Sequence, residues 1–135
     1  MRLLIDTNVF LEILLDRQNA AEAAVLLARS GEHDLFTSDF AVHSICTFLV
    51  RCRDIELLRR FIADTLESGS IKVLSIDTGD LRGVLDLIDR LGLDFDDAYQ
   101  YTLAEREALE IVSFDAHFDH VPKGRKTPHQ IPQVG

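Results

Sequence analysis

The strongest constraint on this chain is a short apolar run, Leu3-Leu4-Ile5, that stops abruptly at Asp6-Thr7-Asn8. The run is too short for a buried helix and reads as a buried strand, which places Asp6 at a strand's carboxyl end. In an open α/β sheet that edge is where ligands bind. Asp, Thr and Asn also favour helix N-caps. Two readings of Asp6 therefore stand open on this stretch alone, a site residue and a helix cap.

The remaining sequence alternates helix and strand patterns. Helices are predicted over Val9–Asp16, with Phe10, Ile13 and Leu14 on one face, and over Asn19–Arg29, ended by Gly31. Asp34–Thr37 reads as a strand, and Ser38 or Asp39 can cap a helix running to about Cys52. An amphipathic helix follows over Asp54–Glu67, then a β-branched strand over Ile71–Ile76 and a helix over Thr78–Leu91, stopped by Gly92. The acidic turn Leu93–Asp97 leads into a helix over Ala98–Glu107, and Ala108–Phe114 is a last strand ending at Asp115. Such alternation predicts a three-layer α/β/α sandwich around a central, mainly parallel sheet of four or five strands. With 135 residues, 47% of them apolar, the chain is sized for one domain spanning residues 1–135. Residues 122–135 form its basic tail, where Lys123, Arg125 and Lys126 break the acidic trend. Proline and glycine there predict loop or extended edge, either a solvated terminus or a phosphate-contacting arm.

The formal net charge of -9 argues against a protein that coats DNA nonspecifically. It does not argue against catalysis on a polyanion, because carboxylates that hold divalent cations invert the local sign. No stretch approaches the roughly 20 apolar residues that span a bilayer, so no membrane role is expected. Cys46 and Cys52 fall on different faces of one helical pattern, which argues against a mutual disulfide and for a reduced, cytoplasmic setting.

Asp6 and Asp115 each follow an apolar strand and would leave the same edge of a parallel sheet. Asp97 sits in the first turn of a helix facing that edge. Three acids brought close repel strongly unless protonated or neutralised. A hard, oxygen-liganded cation, Mg²⁺ or Mn²⁺, resolves the conflict and makes phosphodiester hydrolysis the natural chemistry.

Leu4-Ile5-Asp6-Thr7-Asn8, Asp94-Phe95-Asp96-Asp97-Ala98 and Val112-Ser113-Phe114-Asp115-Ala116-His117-Phe118 together resemble the PIN domain family, which includes VapC-like toxins of toxin-antitoxin systems. The resemblance implies an α/β/α sandwich and a Mg²⁺- or Mn²⁺-dependent endoribonuclease acting on single-stranded RNA. It further implies a cognate antitoxin as partner and a homodimer as assembly. By position Asp6, Asp97 and Asp115 match the family's metal-binding acids, and Asn8 matches the polar residue that supports the first.

One departure stands out. The family places a glutamate early in the third helix, and counting from Thr37 puts His43 there. His43 then acts as ligand or proton carrier, or Asp39 substitutes for the missing acid, or the site is weakened and the domain serves as a binding module. Asp94 and Asp96 flank the site, as metal ligands or as a solvated turn. His117 and Asp119 follow Asp115 as weaker candidates. Tyr99 and Tyr101 can stack a base or pack internally, and Arg125 or Lys126 can contact an RNA strand. An aspartyl phosphatase of the haloacid dehalogenase type would want a second acid where Asn8 stands.

Overall fold

The computed structural model describes residues 1–133. Four strands, β1 (Arg2–Ile5), β2 (Asp34–Ser38), β3 (Lys72–Leu74) and β4 (Glu110–Val112), lie parallel in the order β3-β2-β1-β4. Six helices flank them: α1 (Thr7–Leu14), α2 (Ala20–Leu27), α3 (Asp39–Arg51), α4 (Ile55–Phe61), α5 (Leu81–Leu91) and α6 (Phe95–Glu107).

The period-2 alternation of a strand divides the apolar side chains between two cores. Leu3 and Ile5 of β1 join Leu35 and Val112 in a cluster with α1, α2, α3 and α4, filled by Phe10, Leu26, Ile45, Leu49 and Phe61. Leu4, between them in sequence, points the other way. It joins Phe36 and Ile111 in a second cluster with α5 and α6, built on Val84, Leu103, Ala104 and Phe118. Both faces of the sheet are covered, as a parallel sheet requires, and the three-layer arrangement read from the sequence is the arrangement found.

Register decides which residues meet at the carboxyl edge. Leu3, Leu4 and Ile5 pair with Glu110, Ile111 and Val112, so Asp6 emerges beside Ser113. A further ladder bond from the Asp6 N–H to the Val112 carbonyl, 3.0 Å, carries the pairing one step past the strand. On the other side the Thr37 hydroxyl donates to the Ile5 carbonyl at 2.8 Å and locks β1 to β2.

Element ends differ from the sequence expectation for local reasons. β2 runs through Ser38, whose hydroxyl accepts from the Ala41 N–H at 2.9 Å and caps α3. α6 starts at Phe95, earlier than Ala98, because Asp94 caps it by accepting from the Asp97 N–H at 2.9 Å. The helix predicted to Glu67 relaxes after Phe61 into a wider π turn over Ile62–Glu67. β4 is short because Ala108, at φ 55, spends its residue closing α6 in the left-handed region.

Residues 122–133 are not a loose tail. Lys126 bridges Val112 in parallel, its N–H donating to the Ile111 carbonyl at 2.8 Å while its carbonyl accepts from the Ser113 N–H at 2.9 Å. Pro128–Gln130 forms one 3-10 turn, and Pro128 and Ile131 are buried. The extended-edge expectation holds at Lys126 and the solvated terminus does not; residues 134–135 lie outside the described residues. If the segment is structural, Ile131→Ala should cost about 2 kcal/mol or more in urea unfolding, as for other large-to-small core changes. An unchanged midpoint would return the segment to solvent.

Candidate active site

Four donors from three parts of the chain converge on the Asp6 carboxylate. Oδ1 accepts from the Thr7 N–H at 2.8 Å and from Gln100 Nε2 at 2.9 Å. Oδ2 accepts from the Ser113 hydroxyl at 2.8 Å and, more weakly, from Asn8 Nδ2 at 3.4 Å. Asp6 is therefore both things the sequence allowed, the cap of α1 and a member of a polar site. Asn8 pins the end of β4 to the end of β1: its Nδ2 donates to Ser113 Oγ at 2.9 Å and its Oδ1 accepts from the Phe114 N–H at 3.0 Å. Ser113 Oγ also accepts from the Asp115 N–H at 3.0 Å. One buried hydroxyl thus orients two of the three acids.

Asp6, Asp94, Asp96, Asp97 and Asp115 all line one open cleft of about 300 Å³. His117 reaches into it, Nδ1 lying 3.2 Å from both Asp97 Oδ2 and Asp115 Oδ2. The His117 backbone N–H donates to Asp115 Oδ1 at 3.0 Å. Burial raises the Asp6 carboxyl above the usual carboxylate range, with Asp115 adding repulsion against the lowering effect of its hydrogen bonds. Asp97 is pushed up to about 6, first by burial and then by Asp94, with smaller contributions from Asp6 and Asp115 and an opposing one from His117. Asp96 is raised for the same first reason and by Asp94. The cleft asks for positive charge.

The residues fit a hard divalent cation by donor chemistry: carboxylate oxygens, neutral side-chain oxygens and no thiol. A second observation agrees. Gln100 Oε1 is buried at the cleft with no protein hydrogen-bond partner, an acceptor suited to a water or hydrated ion. Among the described residues no three His, Cys, Asp or Glu side chains already converge as a ready ligand set. Both Asp6 oxygens accept from protein donors, and His117 lies between Asp97 and Asp115.

The structure brings Asp6, Asn8, Asp97 and Asp115 together, and Asp94, Asp96 and His117 with them. It does not bring His43, which is exposed on α3; Phe40 and Ser44 line the cleft instead. Asp39 is exposed and accepts from the Tyr99 hydroxyl at 2.6 Å, outside the lining of the cleft. Arg125 and Lys126 are also elsewhere. The Arg125 guanidinium is held by Asp119, at 2.9 and 3.2 Å, and donates to the Ser113 carbonyl at 3.0 Å, so it braces the β4 end rather than waiting for a strand. Tyr101 is buried, its oxygen accepting from the Lys123 N–H. Gln100 and Ser113 went unread in the sequence. A serine closing an apolar strand two residues before an acid was the one local sign of Ser113; Gln100 left none.

The sequence model described as PIN domain matches residues 3–124. A search of curated proteins returns no match. Among solved structures, a toxin-antitoxin complex from Klebsiella pneumoniae contains a chain of the same fold, with TM-score 0.70 and 18% identity, covering 96% of this chain and 99% of that one. VapBC2 from Rickettsia felis, bound to a DNA fragment from its promoter, gives TM-score 0.68 at 12% identity, covering 93% and 97%. At these identities the likeness speaks for the fold.

The raised carboxyl of Asp97 sets a sign for pH dependence. Its folded value, about 6, lies above the ordinary 3.8, so its contribution to stability is full below 3.8 and is lost as pH rises through 6. In chelator, the melting temperature should therefore fall between about pH 4 and pH 6 and level off above. Asp97→Asn should flatten that fall; an equal slope in the variant would remove Asp97 as its source.

Proposed function

The chain belongs to the PIN domain family, and from that premise we propose a metal-dependent endoribonuclease, the toxin of a toxin-antitoxin pair, hydrolysing phosphodiester bonds in single-stranded RNA. The observation that carries this reading is the crowding of five aspartates into one cleft, with Asp6, Asp96 and Asp97 all driven toward protonation. A fold does not keep such a cluster for its own stability.

Asp6, Asp97 and Asp115 would hold Mg²⁺ or Mn²⁺, with Asp94 and Asp96 at the rim. When bound, such an ion neutralises the cluster, polarises a phosphoryl oxygen and lowers the pKa of an attacking water. This chain's own residues do the positioning. Asn8, Ser113 and Gln100 fix the Asp6 carboxylate from three directions, and the Arg125–Asp119 pair holds the Ser113 carbonyl behind it. His117 can donate to Asp97 or Asp115 while the cluster lacks its counter-charge.

The partners of the two similar solved structures support an antitoxin for this chain as well. Exposed Leu81 and Leu85 on α5 and Val73 on β3 leave apolar surface for that partner or for a second copy. This reading places the chain's action in the cytoplasm; among the described residues no helix is long and apolar enough to cross a membrane. Residues 1–135 act in this reading as one PIN unit.

One observation favours a second reading, a binding module with weakened catalysis: α3 offers the Ser44 side chain to the cleft where the family resemblance implies a carboxylate. Titration with Mn²⁺, following both melting temperature and cleavage of single-stranded RNA, separates the two. The nuclease reading expects both to rise, and Asp6→Asn, Asp97→Asn or Asp115→Asn each to lower cleavage by roughly a hundredfold or more, beyond what loss of an outer-shell partner costs. Metal-induced stabilisation without cleavage selects the module. Full activity in any of the three variants overturns the assignment.

A further inference from the structure

We propose that Phe95, backed by Phe40 and Tyr99, is a stacking shelf for one unpaired nucleobase of a strand whose backbone enters the acidic cleft. The proposal rests on the nuclease reading for the placement of that backbone.

Phe95 occupies the first turn of α6, between Asp94 and Asp96, and is 42% exposed. A single exposed ring needs no explanation, but this one heads a cluster. Its centroid lies 6.5 Å from Phe40 and 6.1 Å from Tyr99, with Phe40 and Tyr99 5.5 Å apart, all in tilted geometry. Phe40 is at the same time part of the wall of the acidic cleft. The aromatic surface is thus continuous from solvent to the acids.

The back of the cluster is fixed. The Tyr99 hydroxyl donates to Asp39 at 2.6 Å and accepts from the Ile76 N–H at 3.2 Å, which ties α6 to the start of α3 and to the segment after β3. With its oxygen committed and its ring packed on two others, Tyr99 is a support; Phe95 is the ring left open. A surface held in place before its ligand arrives loses little entropy on binding.

Size and chemistry select the occupant. A protein interface of ordinary stability buries on the order of 1,000 Å² or more, far beyond one half-exposed ring. One base is the right size. In a nucleic acid the base hangs one sugar away from its phosphate, so a phosphate drawn to the cleft brings a base to its wall. A phenyl face carries no hydrogen-bonding edge, so the shelf accepts any base that can present its own face. Paired bases cannot, since theirs are stacked within the duplex. The shelf therefore selects unpaired strands and is tolerant of base identity.

The test uses the full chain and a single-stranded oligoribonucleotide carrying one 2-aminopurine, with Ca²⁺ in place of Mg²⁺ for binding and Mn²⁺ for turnover. Phe95→Ala should weaken binding about ten- to a hundredfold and abolish quenching of the fluorescent base, with an unchanged circular dichroism spectrum. Phe95→Trp should retain both. In turnover the loss should fall on KM rather than kcat, and an abasic strand should reduce the wild type to the level of Phe95→Ala. Unchanged affinity and quenching in Phe95→Ala overturn the shelf. So does a loss confined to binding of a partner protein, which would assign the ring to that contact. Quenching that depends on Phe95 in a protein that cleaves nothing would keep the shelf and sink the nuclease.

Discussion

The site depends on one half-buried carboxyl group at the sheet edge. Asp6 leaves the central strand of the sheet into an environment that disfavours its ionised form, and donors from α1, α6 and the end of β4 compensate for the water it has lost. A buried carboxylate is tolerated only when hydrogen-bonded, and each donor must come from an element already in place. Parallel pairing of β1 with β4 supplies Ser113, and docking of α6 supplies Gln100. The architecture around the sheet edge and the orientation of the acid are one problem with one solution.

Around that carboxyl the molecule gathers other acids without matching cations among the described residues. Asp94, Asp96, Asp97 and Asp115 share the cleft, and burial and then Asp94 leave Asp97 with its affinity for protons raised against the opposing pull of His117. Such crowding works against folding at neutral pH, and the two cores on either side of the sheet offset it. Elsewhere the same chain treats acids differently. Asp119 and Asp80 are drawn below the ordinary range, Asp119 first by its hydrogen bond to Arg125 and Asp80 first by the Asp77 backbone and then by Arg106. The contrast within one acidic protein marks the cleft as the place where charge serves something other than stability.

Much of this was legible in advance because it is local. An apolar run ending in an acid marks a strand end, and two such runs, at Asp6 and Asp115, point to one edge once a parallel sheet is expected. His43 shows the limit. Counting from Thr37 reaches His43, but β2 closes at Ser38, whose side chain caps α3, and the same count from Ser38 reaches Ser44. One residue turns a helix by about 100°, enough to move a side chain from the cleft to solvent. The basic C-terminal segment was legible only in part, for a different reason. Its cations suggested a free arm, yet the backbone of Lys126 pairs with β4 and Arg125 meets Asp119 only because the chain turns back between them.

The amino-acid sequence by itself determined the layered fold and the strand ends from which acids emerge, since alternation, helical periodicity and capping act over a few neighbouring residues. Only the tertiary structure decided which groups complete the site. Gln100 and Ser113 reach Asp6 across 94 and 107 residues of chain, bonds that exist only after α6 has docked and β1 and β4 have paired in register.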